Sequence, residues 1–67
     1  MKIRLNGEEV SLNENLITVQ ALLDIYAIDK RKIALEKNGE IVLRKTYEET
    51  NINDGDNIEI IHFIGGG

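Results

Sequence analysis

Apolar and polar residues alternate from the start of the chain. Ile3 and Leu5 fall on one side, and Lys2, Arg4 and Asn6 on the other. A period of two is that of a half-buried strand. Asn6-Gly7 follows, a pair that tolerates the two positive φ angles of a type I′ hairpin turn. Alternation resumes with Val10 and Leu12 inward, so residues 1–12 read as a β-hairpin. After the polar turn Asn13-Glu14-Asn15 the period changes. Thr18 can cap a helix by accepting a bond from an unsatisfied N–H of the first turn. Ile17 and Leu22 flank it at hydrophobic-staple spacing. Val19, Leu22, Leu23 and Tyr26 then follow the i, i+3, i+4, i+7 rule of a buried helical face, which places Tyr26 in the core. The polar stretch Asp29-Lys30-Arg31-Lys32 ends this helix without Gly or Pro.

Ile33-Ala34-Leu35 reads as a third strand, Asn38-Gly39 as a second hairpin turn, and Ile41-Val42-Leu43 as a short fourth strand. From Arg44 to Asn53 the chain is polar and irregular, with Tyr47 and Ile52 as anchors into the core. Asp54-Gly55-Asp56 is a turn, and residues 57–64 form the last and longest strand. Such an order predicts an α+β domain: a mixed sheet of four to five strands with one main helix across one face, its first and last strands side by side at the centre. That is the β-grasp, or ubiquitin-like, arrangement. It spans residues 1–64, and a flexible glycine tail, 65–67, follows.

The last strand also describes a surface. If Ile58 and Ile60 point inward, alternation turns Ile61 and Phe63 outward beside the tail, where apolar residues on an open sheet face mark a docking patch. A bulge near His62 would instead turn Phe63 into the core.

Composition narrows the chemistry. Sixty-seven residues make one domain that buries only about 60% of its unfolded surface. Without cysteine there is no disulfide, no thiolate nucleophile and no sulfur-ligated zinc. No apolar run reaches the roughly 20 residues of a membrane span and no secretory signal pattern opens the chain, so a cytoplasmic protein is expected. Twelve acidic against eight basic residues argue against nucleic acid. The acidity either suits a partner with a basic docking patch or serves solubility. The basic runs Lys30-Arg31-Lys32 and Arg44-Lys45 are solvated loops or help to orient docking.

The chain has one histidine, His62, and one serine, Ser11, on strands far apart in sequence. His62 near Glu59 falls short of a metal-ligand set, and Glu48-Glu49 reads as a solvated loop. Tyr26 and Tyr47 read as core residues with hydroxyls at the edge. No metal site and no catalytic set emerges.

Gly65-Gly66-Gly67 stands apart. Glycine is roughly 7% of residues, so three together at a given place arise by chance about three times in ten thousand. Lacking Cβ, they can thread a narrow channel and reach roughly 10 Å beyond the sheet. A carboxylate on such a tether can attack the α-phosphate of ATP inside a partner, giving an acyl-adenylate and pyrophosphate, after which a nucleophile displaces AMP. The alternative is a frayed end or an expression scar.

Read together, the motifs resemble the sulfur carrier family of thiamine biosynthesis, ThiS. Residues 37–44, KNGEIVLR, are similar to that family's NGEIVPR segment; residues 53–60, NDGDNIEI, to its DGD-x-[IV]-E-[IV] run; and residues 62–67, HFIGGG, to its F-[VI]-GGG ending. The opening IRLNGE and the helix start TVQALL fit as well, so the likeness covers the whole chain. Leu43 stands where proline is common and Tyr47 where tryptophan is common, both in the irregular segment.

The resemblance implies a carrier, not an enzyme. The Gly67 carboxylate would be adenylylated by an E1-like, ThiF-type enzyme using ATP and magnesium. Sulfur from a cysteine desulfurase, relayed as a persulfide, would convert it to a thiocarboxylate, and a ThiG-type thiazole synthase would take that sulfur. Gly66 and Gly67 match the family's essential pair, and Gly65 shares their exit. The small subunit of molybdopterin synthase, a ubiquitin-like modifier and an interaction module with an inert tail are the competing readings.

Overall fold

In the computed structural model, which describes residues 1–13 and 17–64, the opening alternation folds as a hairpin. β1 (Lys2–Leu5) and β2 (Glu8–Ser11) pair antiparallel, with Ile3 opposite Val10. Asn6 and Gly7 between them have φ of 50° and 84°, as a type I′ turn requires. Part of the expected turn at residues 13–15 lies outside the described residues.

A two-residue strand, β3 (Ile17–Thr18), leads into helix α1 (Val19–Ile25). The Thr18 hydroxyl accepts the Ala21 N–H at 3.1 Å, and the N–H groups of Val19 and Gln20 donate to the carbonyls of Thr50 and Tyr47 at 2.8 and 2.9 Å. Three of the four donors that a helix start leaves unpaired are therefore satisfied, two of them by the segment after residue 46. Val19, Leu22 and Leu23 are buried.

Tyr26 departs from expectation. It is 41% exposed, because the helix stops at Ile25 and Tyr26 is its C-cap. The N–H of Ile28 bonds the Leu23 carbonyl at 2.9 Å and that of Ala27 bonds the Asp24 carbonyl at 3.1 Å, the paired bonds of a Schellman ending. Ala27 takes the left-handed position with φ of 55°, where glycine is usual, at a cost of about 1–2 kcal/mol. Ile28 packs against the core in place of Tyr26.

A 3₁₀ turn (Lys30–Lys32) leads to β4 (Ile33–Lys37), which turns through Asn38-Gly39, φ 52° and 85°, into β5 (Glu40–Ile41). β5 ends earlier than expected. Leu43 lies outside it, exposed, with its carbonyl accepting the Thr46 N–H and hydroxyl at 2.9 and 2.8 Å as the chain winds into a second 3₁₀ turn (Arg44–Thr46). Tyr47 and Ile52 are the anchors of this segment, 2% and 0% exposed. β6 (Asn51–Ile52) pairs antiparallel with β3, setting Ile52 opposite Ile17.

β7 (Asn57–His62) is the longest strand, two residues shorter than expected. The main sheet has the order β2-β1-β7-β4-β5, with β1 and β7 parallel and the other neighbours antiparallel. First and last strands thus lie side by side inside the sheet. Ile3, Ile33, Leu35, Ile58 and Ile60 cover one face of it and join Val19, Leu22, Leu23, Tyr47 and Ile52 in one core.

Candidate functional site

β7 is the strand that precedes the glycines in sequence, and its far end is the described surface nearest to them along the chain. Gly65, Gly66 and Gly67 themselves lie outside the described residues. Pairing with β4 runs one to one through Leu35–Ile60, Ala34–Ile61 and Ile33–His62, and the Phe63 N–H then donates to the Lys32 carbonyl at 3.0 Å. The register has no bulge, and Phe63 is 56% exposed rather than turned into the core. Ile61, 48% exposed, stands on the open face beside Ala34, and Ile64 is fully exposed. An apolar strip therefore ends at the root of the tail.

The 3₁₀ turn 30–32 sits against this root through the Lys32–Phe63 bond. Asp29 caps it, accepting the Arg31 N–H at 2.9 Å and the guanidinium Nη2 at 2.8 Å. The Arg31 side-chain bond, helped by its backbone N–H, holds the Asp29 carboxyl well below the usual carboxylate range. Arg31 is thus paired within its own turn, whereas Lys30 and Lys32 belong to none of the salt bridges among the described residues. Arg44 and Lys45 belong to the other 3₁₀ turn.

The opposite end of β7 is tied by side chains. Asp56 accepts the Asn38 side-chain amide at 3.0 Å and the Asn53 N–H at 2.8 Å, with the Lys37 ammonium 3.9 Å away. Asn38 Oδ1 accepts the Asn57 N–H at 2.9 Å, and the Asn38 N–H donates to the Asn57 carbonyl at 2.8 Å. Asn6, beyond its turn role, accepts the Ile60 N–H on Oδ1 at 2.7 Å and so extends the β1–β7 pairing by one side chain.

Catalytic partners are not brought together. Ser11 stands on the edge strand opposite Lys2, while His62 closes β7 two strands away at the other end of the sheet. Among the described residues no three His, Asp or Glu side chains could hold a metal ion. No described helix is long and apolar enough to cross a membrane. Burial raises the Tyr47 phenol above its ordinary pKa; the residue packs in the core, away from the tail. Sequence reasoning missed one feature of the open face: Glu36 and Glu59 stand directly opposite each other, next to the Ala34–Ile61 pair. Only the β4–β7 register reveals it.

Fold and surface together are those of a ubiquitin-like β-grasp domain with an apolar strip leading to a glycine ending. The chain matches the ThiS family over residues 3–67. It is 38% identical to the sulfur carrier protein ThiS of Bacillus subtilis, over 97% of this chain and 98% of that protein. The crystal structure of thiamine biosynthesis protein ThiS from Geobacter metallireducens superposes with a TM-score of 0.89 at 29% identity, covering all of both chains. The chain belongs to the ThiS family. A protein of Paramagnetospirillum magneticum called thiazole synthase is 48% identical over all 67 residues, which make up only 20% of that longer protein.

Proposed function

We propose that this chain is a sulfur carrier for thiamine biosynthesis: a co-substrate that partner enzymes load and unload, not a catalyst. The observation that carries this reading is the family match, which runs through Gly67, on a chain whose last described residues, Phe63 and Ile64, are exposed and apolar. In the proposed cycle the Gly67 carboxylate attacks the α-phosphate of ATP held with magnesium in a ThiF-type adenylyltransferase, and pyrophosphate leaves. A persulfide fed by a cysteine desulfurase displaces AMP from the acyl carbon. Cleavage of the resulting S–S bond by a thiol leaves the thiocarboxylate. Gly65 and Gly66 admit the terminus to the partner's site because they present no side chain, and Ile61 and Phe63 dock the domain against the enzyme.

Thiazole synthase is the proposed acceptor. A thiazole synthase that contains a region so similar to this chain supports it, since covalent linkage keeps carrier and acceptor at high effective concentration. The cycle belongs in the cytoplasm, beside the ATP-dependent partner.

Intact-mass measurement after incubation with ThiF-type enzyme, ATP, magnesium, desulfurase and cysteine tests the reading. The expected product is heavier by the difference between one sulfur and one oxygen, and none forms once Gly67 is deleted. Adenylylation that survives the deletion would falsify the carrier function, and stable conjugates to target lysines would favour a protein modifier.

A further inference from the structure

We propose that the open face of the sheet receives thiazole synthase through a surface that sets a basic side chain over Glu36 and Glu59, beside an apolar contact on Ile61 and Phe63. The inference rests on the carrier reading and adds the chemistry of the docking surface.

Register fixes the layout. Leu35 and Ile60 are buried, so the pairs on either side of them, Ala34–Ile61 and Glu36–Glu59, share the open face. Ile41 lies opposite Glu36 on the next strand and is exposed. A strip of Phe63, Ile61 and Ala34 is thus continued by two carboxylates and closed by Ile41. A shallow open hollow lined by Asn6, Gly7, Glu59, Ile60 and Ile61 runs alongside.

Charge selects the kind of side chain the partner brings. Directly opposed like charges on a sheet cost up to about 1 kcal/mol relative to neutral pairs. Neither glutamate belongs to any salt bridge among the described residues. Nearby cations are directed elsewhere. Lys37, between the glutamate of β4 and the turn, points to the other side and donates to the Asn51 carbonyl at 2.8 Å. Arg4 donates to the Gly7 carbonyl at 2.9 Å, and Lys2 faces Glu9. Two glutamates directly opposed across the strands, with Cβ atoms about 5 Å apart as such pairs have and rimmed by exposed isoleucines, complement one guanidinium or ammonium flanked by apolar side chains.

The test measures thermal stability and affinity for purified thiazole synthase of the same organism in parallel. Glu59→Lys turns the repelling pair into an attracting one, so Tm should rise by roughly 4 °C. Affinity should nevertheless fall by at least about tenfold, and its salt dependence should weaken. The charge-neutral pair E36Q/E59Q should bind more weakly as well. If both variants bind as tightly as wild type while Phe63→Ala binds poorly, the basic contact is wrong and docking through this face stands. Wild-type binding that resists Phe63→Ala, Ile61→Ala and the glutamate variants alike would overturn the surface itself, yet leave thiocarboxylate formation at Gly67 untouched. Loss of the latter alone would count against the carrier chemistry.

Discussion

The two ends of β7 are built on different terms. Where the strand begins, Asn57 is locked by Asn38, and Asp56 gathers bonds from Asn38 and Asn53 with Lys37 close by. Where it ends, one backbone bond to Lys32 holds Phe63, and the side chains past Ile60 are exposed. Polar side chains that tie the fold together are concentrated where β7 begins, and exposed apolar side chains that do little for the fold are concentrated where it ends. That separation lets the exposed surface near Phe63 vary without loosening the core.

Removing Asp56 attacks the tied end and should have the largest effect. Asp56→Ala strips two hydrogen bonds to a charged acceptor and leaves the Asn53 N–H without its partner, so urea denaturation should show a loss of about 2–3 kcal/mol. Asn6→Gly keeps the hairpin turn but leaves the Ile60 N–H unpaired; a loss of about 1–2 kcal/mol is expected, with slowed amide exchange at Ile60 abolished first. Phe63→Ala, at the other end, should shift unfolding by no more than about 0.5 kcal/mol while weakening partner binding. A loss as large as that of Asp56→Ala would erase the contrast between the two ends.

The smallest effect concerns Asp29. Its carboxyl is held below the unfolded value, so its contribution is complete at neutral pH. That contribution begins to fade only as pH drops past about 4, the ordinary carboxylate range, and is gone below the folded pKa. Arg31→Ala should return the Asp29 titration, followed by NMR, toward the ordinary range and barely change Tm at pH 7, since the pair is solvent-exposed.

Much of this molecule was legible in its residues because local rules and global fold agree. Both Asn-Gly turns, the Thr18 cap and the alternation of β1 and β7 each fix a conformation within a few residues. The helix end was not legible, because Ala27 adopts a left-handed angle that its chemistry does not favour, held there by Ile28 packing and the bonds to Leu23 and Asp24. β3 and β6 are too short for any period to show, and exist because they close over the helix start. At the candidate site, outward placement of Ile61 and Phe63 follows from alternation, whereas Glu36 meets Glu59 only through a register between strands about 20 residues apart.

The parallel pairing of β1 with β7 carries a practical consequence. Arg4 lies level with Asn57, so Met1 emerges beside the start of β7, and the strand then runs roughly 20 Å before it releases the chain at Phe63. The amino group of Met1 is also fastened to the Leu12 carbonyl at 2.7 Å, on the far side of the sheet from that release point. A fluorophore, affinity tag or immobilising linker placed ahead of Met1 would therefore project away from Phe63, leaving the opposite pole of the sheet open.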